Sequence, residues 1–319
     1  MASSTVPTWR FNAREFISAA VDGIRREVGD GRAVSACSGG VDSTVASCLA
    51  QRAIGDRLTV IYVDDGMRRY GEPEAVVGML RGLGMRVKLL DARDDFFRSL
   101  KGKVDAEEKR LAFRQTFYSV LGGEVRREGA DYLIQGTIAA DVVETAGGVK
   151  TQHNVLEQIG VDPRQFGFRL VEPLKELYKP QVRTVARELG LPEEISEKMP
   201  FPGPGLCIRV LGEVTPERVE VLRRATKIVE EETAGLAAFQ RFAVLHSDRA
   251  TGIRGGKRAY GYIITIRLVE SEDAMTARAV EVPYQVLKRL SKRILDEIPE
   301  ASRCLYDITD KPPATIEFE

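Results

Sequence analysis

Seven consecutive residues, Ser38-Gly39-Gly40-Val41-Asp42-Ser43-Thr44, combine three hydroxyls, two adjacent glycines and one carboxylate. These are the residue types that grip a phosphate chain. Glycines let the backbone come close, hydroxyls donate hydrogen bonds, and a carboxylate can hold Mg2+ beside phosphate oxygens. An apolar run from Ala33 to Cys37 precedes them, and a helical pattern with Val41, Val45, Cys48 and Leu49 on one face follows. The expected element is strand, turn, helix. There the unpaired N–H groups of the first helical turn and the helix dipole both favour negative charge. An ordinary glycine turn with a Ser/Asp cap would account for part of the pattern. A Walker A loop would need a lysine after the second glycine, which is absent, and the stretch is not G-x-G-x-x-G either.

Two further polar clusters follow apolar runs. Leu58 to Val63 ends in Asp64-Asp65-Gly66, and Tyr132-Leu133-Ile134 ends in Gln135-Gly136-Thr137. Helical spacing appears at Ile17, Ala20, Val21 and Ile24, over Pro73 to Leu83, over 107–120, and over 180–190 from Pro180 to Gly190; Val87 to Leu90 reads as a strand. This alternation implies an α/β fold with a parallel sheet, whose ligands sit at the carboxyl ends of strands, so the three polar clusters should share one crevice. Residues 139–170 carry little regular pattern, and a lid over the site is the expected use of so long a segment. Pro200 to Gly205 cannot be helix or central strand and marks a boundary. Beyond it come a helix opened by Thr215-Pro216, strands at 239–246 and 259–269, a helix at 283–297 and a strand near 303–308, a small α+β unit. The expected domains are 1–200 and 201–319.

The 319 residues suit two domains, and 43% hydrophobic content suffices for real cores. Lys+Arg and Asp+Glu both number 47, so no broad basic face is implied and a nucleic-acid partner is not expected. Cys37, Cys48, Cys207 and Cys304 form no C-x-x-C pair, and with only His153 and His246 a histidine-rich metal centre is excluded. No apolar run approaches membrane-spanning length and the first residues lack a signal core. The expectation is a cytoplasmic protein with no membrane contact.

Ser-Gly-Gly-Val-Asp-Ser resembles the loop of the ATP pyrophosphatases, and the likeness narrows along the chain to the ATP pyrophosphatase subunits of GMP synthetase. Its marks are Ser38–Thr44, Tyr62 to Gly66, Gln135 to Ile138, Asp141 to Glu144, His153-Asn154-Val155 and Val171 to Leu177. Arg209 to Glu213 is a further mark, and Pro200 to Leu206 and the closing Asp310-Lys311-Pro312-Pro313-Ala314-Thr315-Ile316-Glu317 are the most specific. The resemblance implies an adenine nucleotide alpha hydrolase-like domain followed by a small α+β dimerisation domain. It implies that XMP, ATP and ammonia become GMP, AMP and pyrophosphate, with Mg2+ as cofactor and a homodimer as the assembly.

Site residues carry over in the same way. ATP and pyrophosphate fall to Ser38, Gly39, Gly40, Val41, Asp42, Ser43 and Thr44, with Val63, Asp64, Gly136 and Thr137. The catalytic positions are Lys150, His153, Asn154, Asp141 and Glu144, and the metal positions Asp42, Asp141 and Glu144. XMP falls to Arg110, Gly203, Pro204, Gly205, Arg258, Lys311, Ile316 and Glu317. The common Lys-x-His-His-Asn pattern is here Lys150-Thr151-Gln152-His153-Asn154, and a glutamine cannot carry the proton of the first histidine.

Neither histidine lies in H-x-E and no cysteine has elbow glycines, so ammonia is expected from a separate glutamine amidotransferase subunit. An NAD synthetase, a tRNA thiolation enzyme and a non-hydrolysing nucleotide sensor are the alternatives. Thiolation would need a reactive cysteine pair, whereas Cys37 and Cys48 lie on buried-strand and helix-face patterns.

Overall fold

A computed structural model of the chain describes residues 11–139, 141, 163–196, 199–272 and 274–319. It divides into two compact units. The first takes the described residues up to Asp64, then Pro73–Ala92, then those from Phe117 to residue 196. The second takes Asp65–Glu72, Arg93–Thr116 and Met199–Glu319. Two stretches ahead of the proline-glycine segment thus belong to the later unit.

The first unit is a five-stranded parallel sheet in the order β3-β2-β1-β4-β5. Its strands are β1 (Ala33–Ala36), β2 (Leu58–Asp64), β3 (Val87–Asp91), β4 (Tyr132–Ile134) and β5 (Arg169–Val171). Ala33 pairs with Leu58 on one side and with Tyr132 on the other, so chain order reverses at β1. Such a switch point leaves a crevice at the carboxyl ends of the strands on its two sides. Continuous burial of β2 up to Val63 matches its apolar run, which Thr59 alone interrupts.

Helix α1 (Ala13–Val28) is capped by Asn12, whose side chain accepts from Arg14 N and Glu15 N. It buries Ile17, Val21, Ile24 and Val28, at helical spacing. The same core takes Val45 and Leu49 of α2 (Val41–Ile54) and Val182, Val185 and Ala186 of α6 (Lys179–Glu188). In chain order α3 (Glu72–Gly82), α4 (Arg93–Leu100) and α5 (Ala106–Arg127) follow α2; α4 and the first half of α5 belong to the second unit. The sequence reading ended α5 at 120, placed no helix at α4, and read no strand at β5. Strand β5 has three residues and one buried position, too few for a visible alternation.

The second unit is built on a four-stranded sheet of β6 (Gln240–Arg254), β7 (Lys257–Glu270), β8 (Arg278–Ala279) and β9 (Ala301–Tyr306), with β9 paired to β7. Helices α7 (Pro216–Glu232) and α8 (Tyr284–Glu297) belong to the same unit. Strand β7 is central, antiparallel to β6 and parallel to β9. Apolar residues at both parities of this strand call for cover on both faces, which a second chain could supply, and that is a ground for expecting a dimer. That ground fails for its inner half: every residue from Ile264 to Val269 is buried within one chain. Two exposed apolar residues, Ile253 and Tyr260, lie instead near the far end of the β6–β7 hairpin.

Among the described residues no helix is long and apolar enough to cross a membrane. All four cysteines are free thiols.

Candidate functional site

The loop after β1 has the strand–turn–helix form that its composition requires. Gly39 has φ +75°, and a Cβ there would come within 2.6 Å of Val76. Ser43 Oγ organises the turn, lying 3.2 Å from Ser38 N, 3.2 Å from Ser38 Oγ and 3.2 Å from the Gly40 carbonyl. Thr44 N makes the first helical bond, to Gly40 O at 3.0 Å. The N–H groups of Val41, Asp42 and Ser43 precede that bond and are available to an anion.

Asp42 stands in this first turn. Its Oδ2 accepts from Lys179 Nζ at 2.6 Å, whereas the buried Oδ1 has no partner among the described residues. Burial raises its pKa above the ordinary carboxylate value; the Lys179 ammonium lowers it in part, and the charge of Asp141 raises it again. A buried carboxylate oxygen left unpaired, beside a second carboxylate, marks a site short of positive charge. No group of three or more metal-binding side chains occurs among the described residues. The pair fits Mg2+ nevertheless, since that ion takes one or two carboxylates and completes its shell with water and substrate phosphates.

The neighbouring strand ends supply the rest of the first unit's site. Val63 and Asp64 end β2, and the Asp64 carbonyl accepts from Ala92 N at 2.9 Å. Gly136 lies against the first turn of α2: a Cβ there would sit 2.7 Å from Asp42 C and Ser43 N. Thr137 is fully buried and donates to Glu172 Oε1 at 2.6 Å. Asp141 Oδ2 accepts from Ile138 N at 3.0 Å. Glu144, Lys150, His153 and Asn154 lie outside the described residues, as does most of the expected lid.

In the second unit the closing residues are held by three buried cations. Arg209, 1% exposed, donates from Nε and Nη2 to the two carboxylate oxygens of Glu317, at 2.9 and 2.8 Å. Arg267, fully buried, donates to the carbonyls of Ile316 (2.8 Å), Thr315 (2.9 Å) and Thr309 (3.0 Å) and pairs with Asp307. Lys109, also fully buried, donates to Val210 O (2.9 Å) and Gly212 O (3.0 Å) and pairs with Glu319.

The residues carried over for XMP distribute around this arrangement. Ile316 packs with Phe242, Val244, Val269 and Ala277. Lys311 Nζ donates to Ala274 O at 2.7 Å, and its backbone pairs with Ala277. Arg110 donates to the Glu319 carbonyl. The Gly203 carbonyl accepts from Arg68 at 3.1 Å, and Pro204 and Gly205 are buried. Arg258 stands apart near the hairpin end, exposed, with Thr251 Oγ1 at 3.4 Å.

Sequence reasoning missed Lys179, Lys109, Arg209 and Arg267. Lys109 carried no signal of its own, and the other three had weak ones. Lys179 precedes the proline that opens a helix, and Arg209 and Arg267 each interrupt an apolar run (Leu206 to Val210, Ile263 to Val269). Burial lowers the pKa of His246 below the ordinary imidazole value, and its Nε2 lies 2.7 Å from Thr265 Oγ1. Burial pushes the Cys48 thiol up to about 12, the mark of an unreactive group and against thiolation chemistry.

Comparison with known proteins narrows the reading. Residues 227–318 match the family model described as the GMP synthase C terminal domain. The chain is 53% identical to a glutamine-hydrolyzing GMP synthase subunit of Thermococcus kodakarensis, over 95% of this chain and 99% of that one. It is 51% identical to the subunit of the same name from Pyrococcus furiosus, over 96% and 97% of the two chains. For that of Methanocaldococcus jannaschii the identity is 48%, over 97% and 100%. Likeness of this strength over nearly the whole length of each protein shows that the chain belongs to the family of these glutamine-hydrolysing GMP synthase subunits, a family of ligases.

Proposed function

We propose that this chain carries out the synthetase half-reaction of GMP formation. The C2 oxygen of XMP attacks the α-phosphate of ATP, releasing pyrophosphate and leaving an adenylated purine. Ammonia from a separate glutaminase subunit then adds at C2 and AMP departs, giving GMP. The observation that carries this reading is the Ser38–Thr44 loop at the switch point of the sheet, with its underpaired Asp42, in a chain of this family.

In this reading Ser38, Gly39, Gly40, Val41, Asp42, Ser43 and Thr44 cradle the departing pyrophosphate, and Lys179 adds a cation beside them. Val63, Asp64, Gly136 and Thr137 border the nucleotide. Lys150, His153 and Asn154 act at the α-phosphate and the purine, as the resemblance implies. Mg2+, held by Asp42 and Asp141 with Glu144, would draw charge off the pyrophosphate as it leaves. Arg110, Gly203, Pro204, Gly205, Lys311, Ile316 and Glu317 take XMP, with Arg258, whose support is the resemblance alone.

The domain reading, 1–200 for ATP and 201–319 for dimerisation and XMP, belongs to the same proposal. The homodimer rests on the resemblance and on the exposed Ile253 (83%) and Tyr260 (66%), which share one face of the hairpin. A monomer mass in light scattering would remove it. Four free thiols agree with a reducing, cytoplasmic setting.

The test is turnover by the purified chain. GMP should form from XMP, MgATP and ammonium, and glutamine should not replace ammonium until a glutaminase subunit is added. Pyrophosphate release that ignores XMP and responds to another acceptor would move the reaction to a different branch of the ATP pyrophosphatases.

A further inference from the structure

Arg209 is a charge that the reaction just described leaves unused. It sits at 1% side-chain exposure and its ion-pair partner, Glu317, at 17%. A guanidinium so buried is tolerated only when firmly paired, and Glu317 supplies the pairing through both oxygens. The Phe242 ring centroid lies 4.0 Å from the Arg209 guanidinium carbon and that of Phe201 5.1 Å from it. Its third nitrogen, Nη1, is buried and has no acceptor among the described residues. The cation is therefore fixed by two rings, and the carboxylate is fixed by the cation. A carboxylate offers about four lone-pair sites, of which the fork takes two, so two remain on the more exposed side of the pair.

We propose that Arg209 is a positioning residue for the purine nucleotide. It acts through Glu317, aiming the two remaining lone pairs so that a purine ring presenting N–H donors is received in one orientation. The proposal rests on the reading that Glu317 meets the XMP base. Its consequence is specificity. A dioxopurine supplies ring N–H donors where a base such as that of IMP supplies a ring acceptor, and a carboxylate that cannot turn away repels the acceptor. A mobile carboxylate would discriminate less.

Three variants test this in the full chain, with KM for XMP, kcat, KM for ATP, inhibition by IMP and melting temperature as readouts. Glu317→Gln tests the underlying reading: an unchanged KM for XMP would remove that reading and the proposal together. Arg209→Lys keeps the charge and loses the fork. It should raise KM for XMP about 10-fold, leave KM for ATP within about two-fold, and tighten inhibition by IMP relative to XMP binding. Combining it with Glu317→Gln should show little beyond Glu317→Gln alone, because both changes act through one carboxylate. Phe201→Leu loosens the guanidinium without unpairing it and should raise KM for XMP roughly three-fold, the size of one cation–π contact. This variant decides the matter if Arg209→Lys melts below the assay temperature. Additive effects in the double variant, or an unchanged XMP KM in both Arg209→Lys and Phe201→Leu while Glu317→Gln raises it, would overturn the proposal and leave Arg209 a packing residue.

Discussion

The loop Ser38–Thr44 and the closing segment 307–319 both gather charge, and they do so with opposite balances. The loop is made of backbone N–H groups and small hydroxyls, and its one carboxylate has an oxygen without a partner among the described residues and a pKa raised by burial. The closing segment is gripped by Lys109, Arg209 and Arg267, all buried and all paired. One region leaves its carboxylate short of counter-charge until a cation arrives with the phosphate. The other carries its counter-charges within the fold. The first is arranged for a ligand that brings its own charge, and the second for holding a chain segment in place while a ligand is received.

This comparison is tested first by removing the closing segment. Deleting residues 311–319 takes from Arg209 both of its hydrogen bonds to Glu317 and from Arg267 two of its carbonyl acceptors. Leaving a buried ion without its partner costs about 3–5 kcal/mol, comparable to a large part of the stability of a small domain. The expected result is an unfolded second unit, seen by hydrogen exchange, and not merely a higher KM for XMP. A truncated chain with native protection in β6 and β7 would break the comparison.

Asp42→Asn probes the opposite balance. The folded chain holds the Asp42 proton more tightly than the unfolded chain does. The stability contributed here is therefore present below its ordinary value of 3.8 and lost as pH rises through the higher folded value. The asparagine variant escapes that loss. Its melting temperature should exceed that of the parent at pH 7, and the gap should close as pH falls toward 3.8. Turnover should fall about 10²-fold, as when one transition-state contact is removed. A gap that widened toward acid would contradict the assignment.

Lys179→Ala should act more mildly and in a different column. It removes one charged hydrogen bond beside the loop, worth about 1.5–3 kcal/mol, and should raise KM for ATP while KM for XMP stays put. An effect on XMP alone would show that Lys179 does not serve the phosphate end.

The loop was legible because its parts are contiguous. Glycine, hydroxyl and carboxylate stand within seven positions between an apolar run and a helical pattern, and local chemistry dictates the turn. Lys179 was not legible, since it lies 137 positions from the carboxylate it meets. Arg209 and Glu317 are 108 positions apart, and nothing near either one names the other. The parallel sheet could be read from alternating runs. The short β5 could not, nor could the assignment of Arg93–Thr116 to the second unit, because helical spacing records which face is buried and not what buries it.

By itself the sequence determined most of the order of strands and helices, the phosphate loop and the α+β character of the later unit. These follow from periodicity and from residues acting within a few positions of one another. Only the tertiary structure decided that β1 lies between β2 and β4, and that Lys179 takes one oxygen of Asp42 while the other has no partner among the described residues. It alone decided that the inner half of β7 is covered by its own chain and that three buried cations hold the closing segment. Burial and long-range charge pairing exist only once distant parts of the chain have met, and they set both the cost of a charge and its use.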